Sequence, residues 1–295
     1  LDESQYDNDG EVYYFAGNPT DNWVYFAGYY WRIIRINGDG TIRMIYNGTT
    51  TNQTGEDTQI GTSAYNSTYN DNTYVGYMYG MPGSSTYEET HANVTNSTIK
   101  ELLDTWYQNN IVTNDYDKYI SAEQGFCNDR RIATSDETFW NNDTKLGYGT
   151  NTTAYAPWAR FFNTSGSFLS IQNPTLKCSQ TDDYFTGSGS SRGNKALTYP
   201  IGLIATDEVV LAGGFGGSDN SSYYLYTGQD YWTMSPINFN DMNNIARVFN
   251  VNSTGQLSNY YVYGVYGVRP VINLKADVTI TGSGTSTDPY RVEGA

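Results

Sequence analysis

The segment YWRIIRINGDGTIRMIY, residues 30–46, carries the strongest local structural signal in this chain. Apolar and β-branched residues lie on both sides of Asn37-Gly38-Asp39-Gly40, a pattern that predicts two strands joined by a hairpin turn. The Asn-Gly-Asp-Gly stretch also resembles part of a calcium loop, but the downstream bidentate Glu and the alternating carboxylates of such loops are missing. We therefore predict a turn and no cofactor, because no motif supports a structural Ca²⁺ ion.

The segments around this hairpin predict more strands and one clear helix. Hairpins are expected over residues 11–46 as a whole, with the turn Asn18-Pro19-Thr20 between the first two strands. The clearest helix is predicted at 98–110, where Thr98 and Glu101 match a capping box ahead of apolar residues at helical spacing. A weaker helical segment is expected at 116–123.

The last third of the chain returns to strand-like runs, and Thr206 is expected to cap a short helix there. The runs are 197–204, 223–226, 231–236, 246–251 and 267–274. These patterns alone predict a β-rich fold with a helix, made of short strands and long polar loops. We expect one domain over residues 1–275, with its C-terminal core at 197–275, and a terminal strand or tail at 276–295. The predicted core residues are Trp31, Ile33, Phe249, Val251 and Val271.

Composition excludes several classes of partner. The chain has 31 Asp and Glu against 16 Lys and Arg, a net charge of −15, which would repel nucleic acid and anionic membrane surfaces. No apolar stretch approaches the roughly 20 residues of a membrane-spanning helix. The chain opens with Leu1-Asp2-Glu3 and no signal-like apolar region, so we expect a processed or truncated piece, attached to a membrane only through an anchor outside it.

The two cysteines, Cys127 and Cys178, are the only ones in the chain. Their spacing does not match a metal site, and the polar composition is typical of an exported protein, so we predict a disulfide between them and an extracellular or cell-surface location. The alternative is a pair of unrelated buried thiols.

Six segments resemble a family of surface proteins of gut Firmicutes and related wall-less bacteria, several of which carry a prepilin-like N-terminal helix. The segments are 26–28, 31–40, 126–130, 199–204, 231–236 and 267–274. This resemblance covers nearly the whole chain, and it implies a surface protein that is pilin-like in its organisation.

The C-terminal part is also similar to the formylglycine-generating-enzyme-like branch of the C-type lectin fold. The similarity lies in Tyr231-Trp232-x-x-Ser235-Pro236, in Ala246-x-Val248 and in Gly267-Val268-Arg269-Pro270. It implies an α+β fold: a β-rich, irregular, C-type-lectin-like domain with one or two short helices and long coil. The same branch includes the variable proteins of diversity-generating retroelements, whose substitutable surface positions favour Asn, Tyr, Ser and Asp. The copper-dependent enzymes of this branch use a C-terminal cysteine pair, and no cysteine follows Cys178, so that activity is not implied.

Few residues in this sequence are candidates for catalysis or metal binding. The single histidine, His91, excludes a site that needs two or three imidazoles, and we expect it to be solvated in a loop. Glycoside hydrolysis needs two carboxylates about 5 to 10 Å apart, and the candidates are Glu123, Asp182-Asp183 and Asp207-Glu208, but no motif selects any of them. The glycines at 213–217 lack the Lys-Ser or Lys-Thr of a phosphate loop and predict a flexible turn. We expect no enzyme.

Binding is better supported, because Tyr, Asn and Ser dominate the contact loops of antibodies. The tracts 237–244 and 250–266 separate the predicted core strands and supply the candidate ligand-binding residues Asn238, Asn240, Asp241, Asn243, Asn244, Asn259, Tyr260, Tyr261, Tyr263 and Tyr266. The predicted function is an extracellular adhesin or receptor-type module that binds a protein or glycan on another surface. One form of this prediction is the head of a pilin-like subunit. Alternatives are a structural subunit that self-assembles into a filament or surface layer, an extracellular glycan hydrolase, and tracts that are only solvated loops.

Overall fold

The computed structural model describes residues 2–138, 145–240 and 242–295. Within them the chain is α+β and β-rich, with short helices and long irregular connections, as predicted. The strands are β1 (Asp2–Tyr6), β2 (Glu11–Tyr14), β3 (Trp23–Phe26), β4 (Tyr29–Ile36), β5 (Ile42–Tyr46), β6 (Thr62–Ala64), β7 (Met78–Tyr79), β8 (Thr95–Asn96), β9 (Phe126–Cys127), β10 (Thr153–Ala154), β11 (Tyr184–Phe185), β12 (Tyr231–Asn240), β13 (Ile245–Val251), β14 (Leu257–Tyr261), β15 (Val265–Gly267), β16 (Val271–Leu274), β17 (Ile280–Thr281) and β18 (Tyr290–Val292). The helices are α1 (Tyr87–Thr90), α2 (Thr98–Asn110), α3 (Ala156–Phe161) and α4 (Thr206–Ala212).

Eight of the described strands form the first sheet, which is built on the predicted hairpin. Strands β4 and β5 pair antiparallel, with Ile36 opposite Ile42 and Trp31 opposite Tyr46. On its other side β4 pairs with β3 and, further along, with β2. Strand β16 pairs with β5, and β18 pairs in parallel with β3. Residues from 276 onward therefore complete the sheet that the N-terminal hairpins begin.

The second sheet contains six of the described strands, in the order β14-β13-β12-β15-β6, with β10 also on β12. All ten residues of β12 are buried, because this strand lies between neighbours inside the sheet. Strand β12 continues to Asn240, so the prediction of a loop from residue 237 is wrong. The polar residues of the strand tolerate burial because hydrogen bonds satisfy several of them. An example is Thr233, whose hydroxyl donates to the carbonyl of Phe249 at 2.8 Å.

The main hydrophobic cluster joins both sheets and α2, and a smaller one packs α3 against β13. The five residues predicted to be core are all buried, which confirms that prediction. Residues 197–204 and 223–226 were expected as strands but are irregular. They still contribute buried side chains such as Leu203 and Leu225, so their apolar pattern indicated burial and not strand geometry.

Helix α2 spans the predicted residues, but its cap differs from the prediction. The hydroxyl of Ser97, not that of Thr98, accepts a hydrogen bond from the Lys100 N–H at 3.3 Å. The Thr98 hydroxyl instead accepts from the N–H of Ser67 at 3.0 Å. In α4, Thr206 is likewise the first helical residue and not the cap. Residues 116–123 contain only a 3₁₀ turn, Asp117–Tyr119.

The predicted disulfide between Cys127 and Cys178 is present, with Cα atoms 5.6 Å apart. Asn8 fixes the second cysteine on both sides of its backbone: the Asn8 Nδ2 donates to the Cys178 carbonyl at 3.1 Å, and the Cys178 N–H donates to Asn8 Oδ1 at 2.7 Å. The longest described helix, α2, has 13 residues, and none of the described helices combines the length and the apolar character needed to cross a bilayer.

Candidate recognition surface

The predicted tyrosines lie where β14 turns back towards β15. At this turn Val262 is fully buried. Its N–H donates to the carbonyl of Ala246 at 3.1 Å, and its carbonyl accepts from the N–H of Asn66 at 3.0 Å. Because Val262 is anchored inward, its neighbours Tyr261 and Tyr263 lie nearer to solvent, half-buried and exposed respectively.

Five tyrosine rings are in contact at this end of the second sheet, and we call them the tyrosine cluster: Tyr69, Tyr260, Tyr261, Tyr263 and Tyr266. The ring centroids of Tyr69 and Tyr263 are 4.8 Å apart, and those of Tyr263 and Tyr261 are 5.5 Å apart. Tyr260 lies 5.1 Å from Tyr261 and 5.1 Å from Tyr266. These separations fall in the range of favourable ring contacts, so the cluster is one continuous row.

The tyrosine cluster is supported from within the fold while part of it faces solvent. Tyr69, Tyr260 and Tyr263 are 41%, 42% and 41% exposed. The guanidinium of Arg247 lies 4.7 Å from the ring centroid of Tyr261, a cation–π contact. The ring of Tyr266 packs 5.0 Å from that of the buried Trp232, and burial together with Asp230 raises the pKa of Tyr266 to about 12. The Tyr266 hydroxyl is therefore neutral at physiological pH.

A groove extends this surface towards α2. Tyr266 is paired with Ser63 of β6, and paired residues of antiparallel strands share a face of the sheet. Ser63 in turn lines a groove of about 520 Å³ together with Ile60 and with Leu102 and Trp106 of α2. The tyrosine cluster and the apolar floor of the groove are therefore neighbours.

Sequence reasoning missed Tyr69 and the residues of the groove. Tyr69 lies in the polar tract 48–85, and its contact with Tyr263 joins positions that are distant in the sequence. Leu102 and Trp106 belong to the apolar repeat that predicts α2, and both are partly exposed. Their spacing of four residues places them on one helix face, which was the one available signal.

The predicted asparagines separate into two groups. Asn238 and Asn240 are buried in β12, so the prediction that they are displayed is wrong. Asn243 and Asn244 are exposed in the turn after β12, and Asn259 is half-buried in β14. Asp241 lies outside the described residues. The turn with Asn243 and Asn244 is at the same end of the sheet as the tyrosine cluster, because Ala246 bonds both Val262 and Tyr69.

Three of the carboxylates considered for hydrolysis, Asp183, Asp207 and Glu208, are buried and form ion pairs, whereas Asp182 is exposed. Asp183 Oδ1 lies 2.7 Å from Arg130 Nε, and Asp207 Oδ1 lies 2.7 Å from Arg160 Nε. Burial raises the pKa of Asp183 and of Asp207 despite these arginines. Burial alone would raise the pKa of Glu208, but the positive charges of Arg43 and Arg35 outweigh burial and hold this pKa below the usual value. These ion pairs account for the positions of the three carboxylates without a catalytic role.

Glu123 is held differently, by the hydroxyl and N–H groups of a serine loop. The Ser191 hydroxyl donates to its Oε2 at 2.8 Å, and this hydrogen bond lowers the pKa of Glu123.

His91 is buried, so the prediction of a solvated loop histidine is wrong. Its ring stacks on that of Tyr87 with centroids 3.7 Å apart, and its Nδ1 lies 2.9 Å from the Tyr87 carbonyl oxygen. Burial, followed by the charge of Arg130, lowers the pKa of His91 well below the usual value. Across residues 2–138, 145–240 and 242–295, no group of three His, Cys, Asp or Glu side chains is arranged to hold a metal ion.

Comparison of the chain with protein-family models, with curated proteins and with solved structures finds no match.

Proposed function

We propose that this chain is the ligand-binding ectodomain of a surface protein, of adhesin or receptor type, and that the tyrosine cluster is the centre of its binding site. One observation carries the proposal: five tyrosine rings, three on β14 and β15 and two on adjoining loops, form a continuous, partly exposed row. Solitary exposed aromatic residues are common on protein surfaces, whereas a contiguous group indicates an interaction site.

The physical properties of the cluster suit recognition. Tyrosine offers a large ring with few rotatable bonds and a hydroxyl at its edge, so it gains contact area at a low cost in conformational entropy. Arg247 and Trp232 hold two of the rings before any ligand arrives, which lowers that cost further. Asn243 and Asn244, exposed at the same end of the sheet, supply hydrogen-bonding groups. The groove along α2 provides an apolar extension for a larger ligand.

The extracellular location and the lectin-like fold are part of the same proposal. The disulfide is typical of proteins that mature in an oxidising compartment. The resemblance of residues 231–236 and 267–274 to the formylglycine-generating-enzyme-like branch supports a C-type-lectin-like domain. In the diversified members of that branch, variable Asn and Tyr positions lie on a scaffolded surface, and the tyrosine cluster is rich in the same residue types. The ligand is a protein or a glycan of another cell or surface.

A binding screen tests this function. The purified chain is applied to an array of neutral glycans and to a panel of extracellular proteins, beside the variant Tyr260→Ala/Tyr263→Ala. The proposal predicts at least one ligand that the parent binds and the variant does not. Ligands bound equally by both proteins would place the site elsewhere. Self-association of the parent that the variant loses, with no other ligand found, would favour the filament subunit instead.

A further inference from the structure

A polar cleft of about 600 Å³ runs beside the disulfide. A second, smaller chamber of about 30 Å³ adjoins it, and the two share Asp129, Arg160, Thr175, Lys177 and Cys178. The chamber is large enough for a water molecule or one end of a small polar group. None of the residues that line the cleft or the chamber belongs to the tyrosine cluster or to the groove beside α2.

Positive side chains are concentrated at this cleft although the chain as a whole is acidic. Five of the 16 Lys and Arg residues line the cleft or the chamber, against four of the 31 Asp and Glu residues. The basic residues are Arg35, Arg43, Arg131, Arg160 and Lys177, and the acidic ones are Asp7, Asp129, Asp207 and Glu208. With Glu137, which pairs with Arg131 at 3.2 Å, the charges at the cleft balance. In a chain with a net charge of −15, a balanced cleft repels an anionic group less than the rest of the surface does.

Most of these charges are already neutralised by fixed ion pairs. Arg160 lies 2.7 Å from both Asp129 and Asp207. Glu208 Oε1 lies 2.5 Å from Arg43 Nε and 2.9 Å from Arg35 Nε. The walls are therefore rigid and charged before any ligand enters.

Two donors remain available. Arg35 is 6% exposed, and its Nη1 makes no hydrogen bond within the described residues. That nitrogen lies 3.6 Å from Asp7 Oδ2, an oxygen that already accepts from the Gly38 N–H at 3.0 Å. Lys177 is exposed, and its ammonium forms no ion pair in the part of the chain that the structure describes. A buried N–H group without a hydrogen-bond acceptor costs free energy that an incoming oxygen would recover.

We propose that this cleft binds a small carboxylate. One carboxylate oxygen enters the chamber and accepts a hydrogen bond from Arg35 Nη1, while Lys177 lies against the second oxygen. The hydroxyls of Thr175 and Ser179 and the amide of Asn8 line the wider cleft, where they face the neutral polar part of the ligand. The available volume fits a single sugar acid or the last residue of a peptide. The disulfide and the two Asn8 hydrogen bonds fix the wall that carries Lys177.

Isothermal titration calorimetry with three probes tests the proposal: glucuronate, N-acetylglycine and glucose. We expect binding of at least one carboxylate and none of glucose, and the two carboxylates distinguish an acidic sugar from a peptide terminus as the source. Lys177→Gln should weaken that binding about tenfold, the effect of losing one charge-assisted hydrogen bond. The matched control is Lys195→Gln, which removes another exposed lysine and should leave binding unchanged.

The variant Tyr260→Ala/Tyr263→Ala should bind the carboxylate like the parent, so failure of the proposed recognition surface and failure of this cleft are separate results. The proposal is overturned if neither carboxylate binds more tightly than glucose, in which case the chamber holds water alone. Equal effects of Lys177→Gln and Lys195→Gln would overturn it as well.

Discussion

Arginine side chains occupy the interior of this protein at positions where an aromatic ring lies beside them. Arg32 lies 4.2 Å from the ring centroid of Trp23, and Arg43 lies 4.8 Å from that of Phe126. Arg269 is 4.8 Å from the ring of Tyr231 and also donates to the Leu225 carbonyl at 3.1 Å. Arginine suits these sites because its planar guanidinium both stacks and donates several hydrogen bonds. The segments Trp31-Arg32 and Val268-Arg269-Pro270 are therefore parts of the core.

Loss of one partner of the Arg130–Asp183 ion pair should destabilise the protein strongly, because both side chains are buried. Removing one partner leaves an uncompensated charge in the interior, so Asp183→Ala should lower the free energy of unfolding by about 3–5 kcal/mol. Urea denaturation measures the change. The control is Lys118→Ala, which removes an exposed ion pair with Asp115 and should cost no more than about 1 kcal/mol. Similar losses for both variants would contradict the buried pair.

His91 should make stability depend on pH below neutrality. Its pKa is about 6.5 in the unfolded chain and well below that when folded, because the ring is buried. As the pH falls below about 6.5 the unfolded state therefore binds a proton that the folded state does not, and stability decreases by up to about 1.4 kcal/mol per pH unit.

The variant His91→Gln isolates this contribution. Melting curves of the parent and the variant between pH 7 and pH 5 should diverge, with a shallower loss of stability for the variant. Parallel curves would show that His91 is accessible to protons in the folded state.

At the scale of elements, sequence patterns predicted the strands and helices whose formation depends on residues close together in the chain. The hairpin of β4 and β5 and the helix α2 have local signals, a turn tetrapeptide and an apolar repeat, and both are confirmed. The end of β12 could not be predicted, since its Asn residues look like a loop until the flanking strands bury them. The cap at Ser97 was misassigned by one residue because Thr98 is an equally good capping residue by type.

The disulfide should stabilise the least regular part of the chain. Residues 126–185 contain only three two-residue strands, one six-residue helix and one 3₁₀ turn among their described positions, so backbone pairing restrains this region weakly. Cys127→Ala/Cys178→Ala should lower the free energy of unfolding by about 2–5 kcal/mol. The control is the intact mass of the parent before and after reduction, since reduction of a disulfide adds the mass of two hydrogen atoms. A parent whose mass does not change would refute the bond.

At the scale of the whole molecule, the contacts that create the surfaces join distant parts of the sequence. Strand β18 pairs with β3, and Tyr69 meets Tyr263. No local pattern encodes such pairings, because they depend on how the two sheets assemble. The four predicted tyrosines were found from residue type alone, whereas Tyr69, the groove beside α2 and the charged cleft required the assembled fold.

We expect the exposed rings of the tyrosine cluster to bind the ligand. Dissociation constants of the parent, a cluster variant and a matched control test this directly. Tyr260→Ala/Tyr263→Ala removes two rings that are 42% and 41% exposed. The matched control, Tyr6→Ala/Tyr13→Ala, removes two that are 57% and 44% exposed on the first sheet.

Both variants should fold like the parent, because exposed substitutions usually change stability by no more than about 0.5 kcal/mol each. For a ligand found in the screen, the cluster variant should bind at least about thirtyfold more weakly than the parent, since an aromatic anchor commonly contributes about 2 kcal/mol or more. The control should bind like the parent. Equal dissociation constants for the parent and the cluster variant would show that the tyrosine cluster is not the binding site.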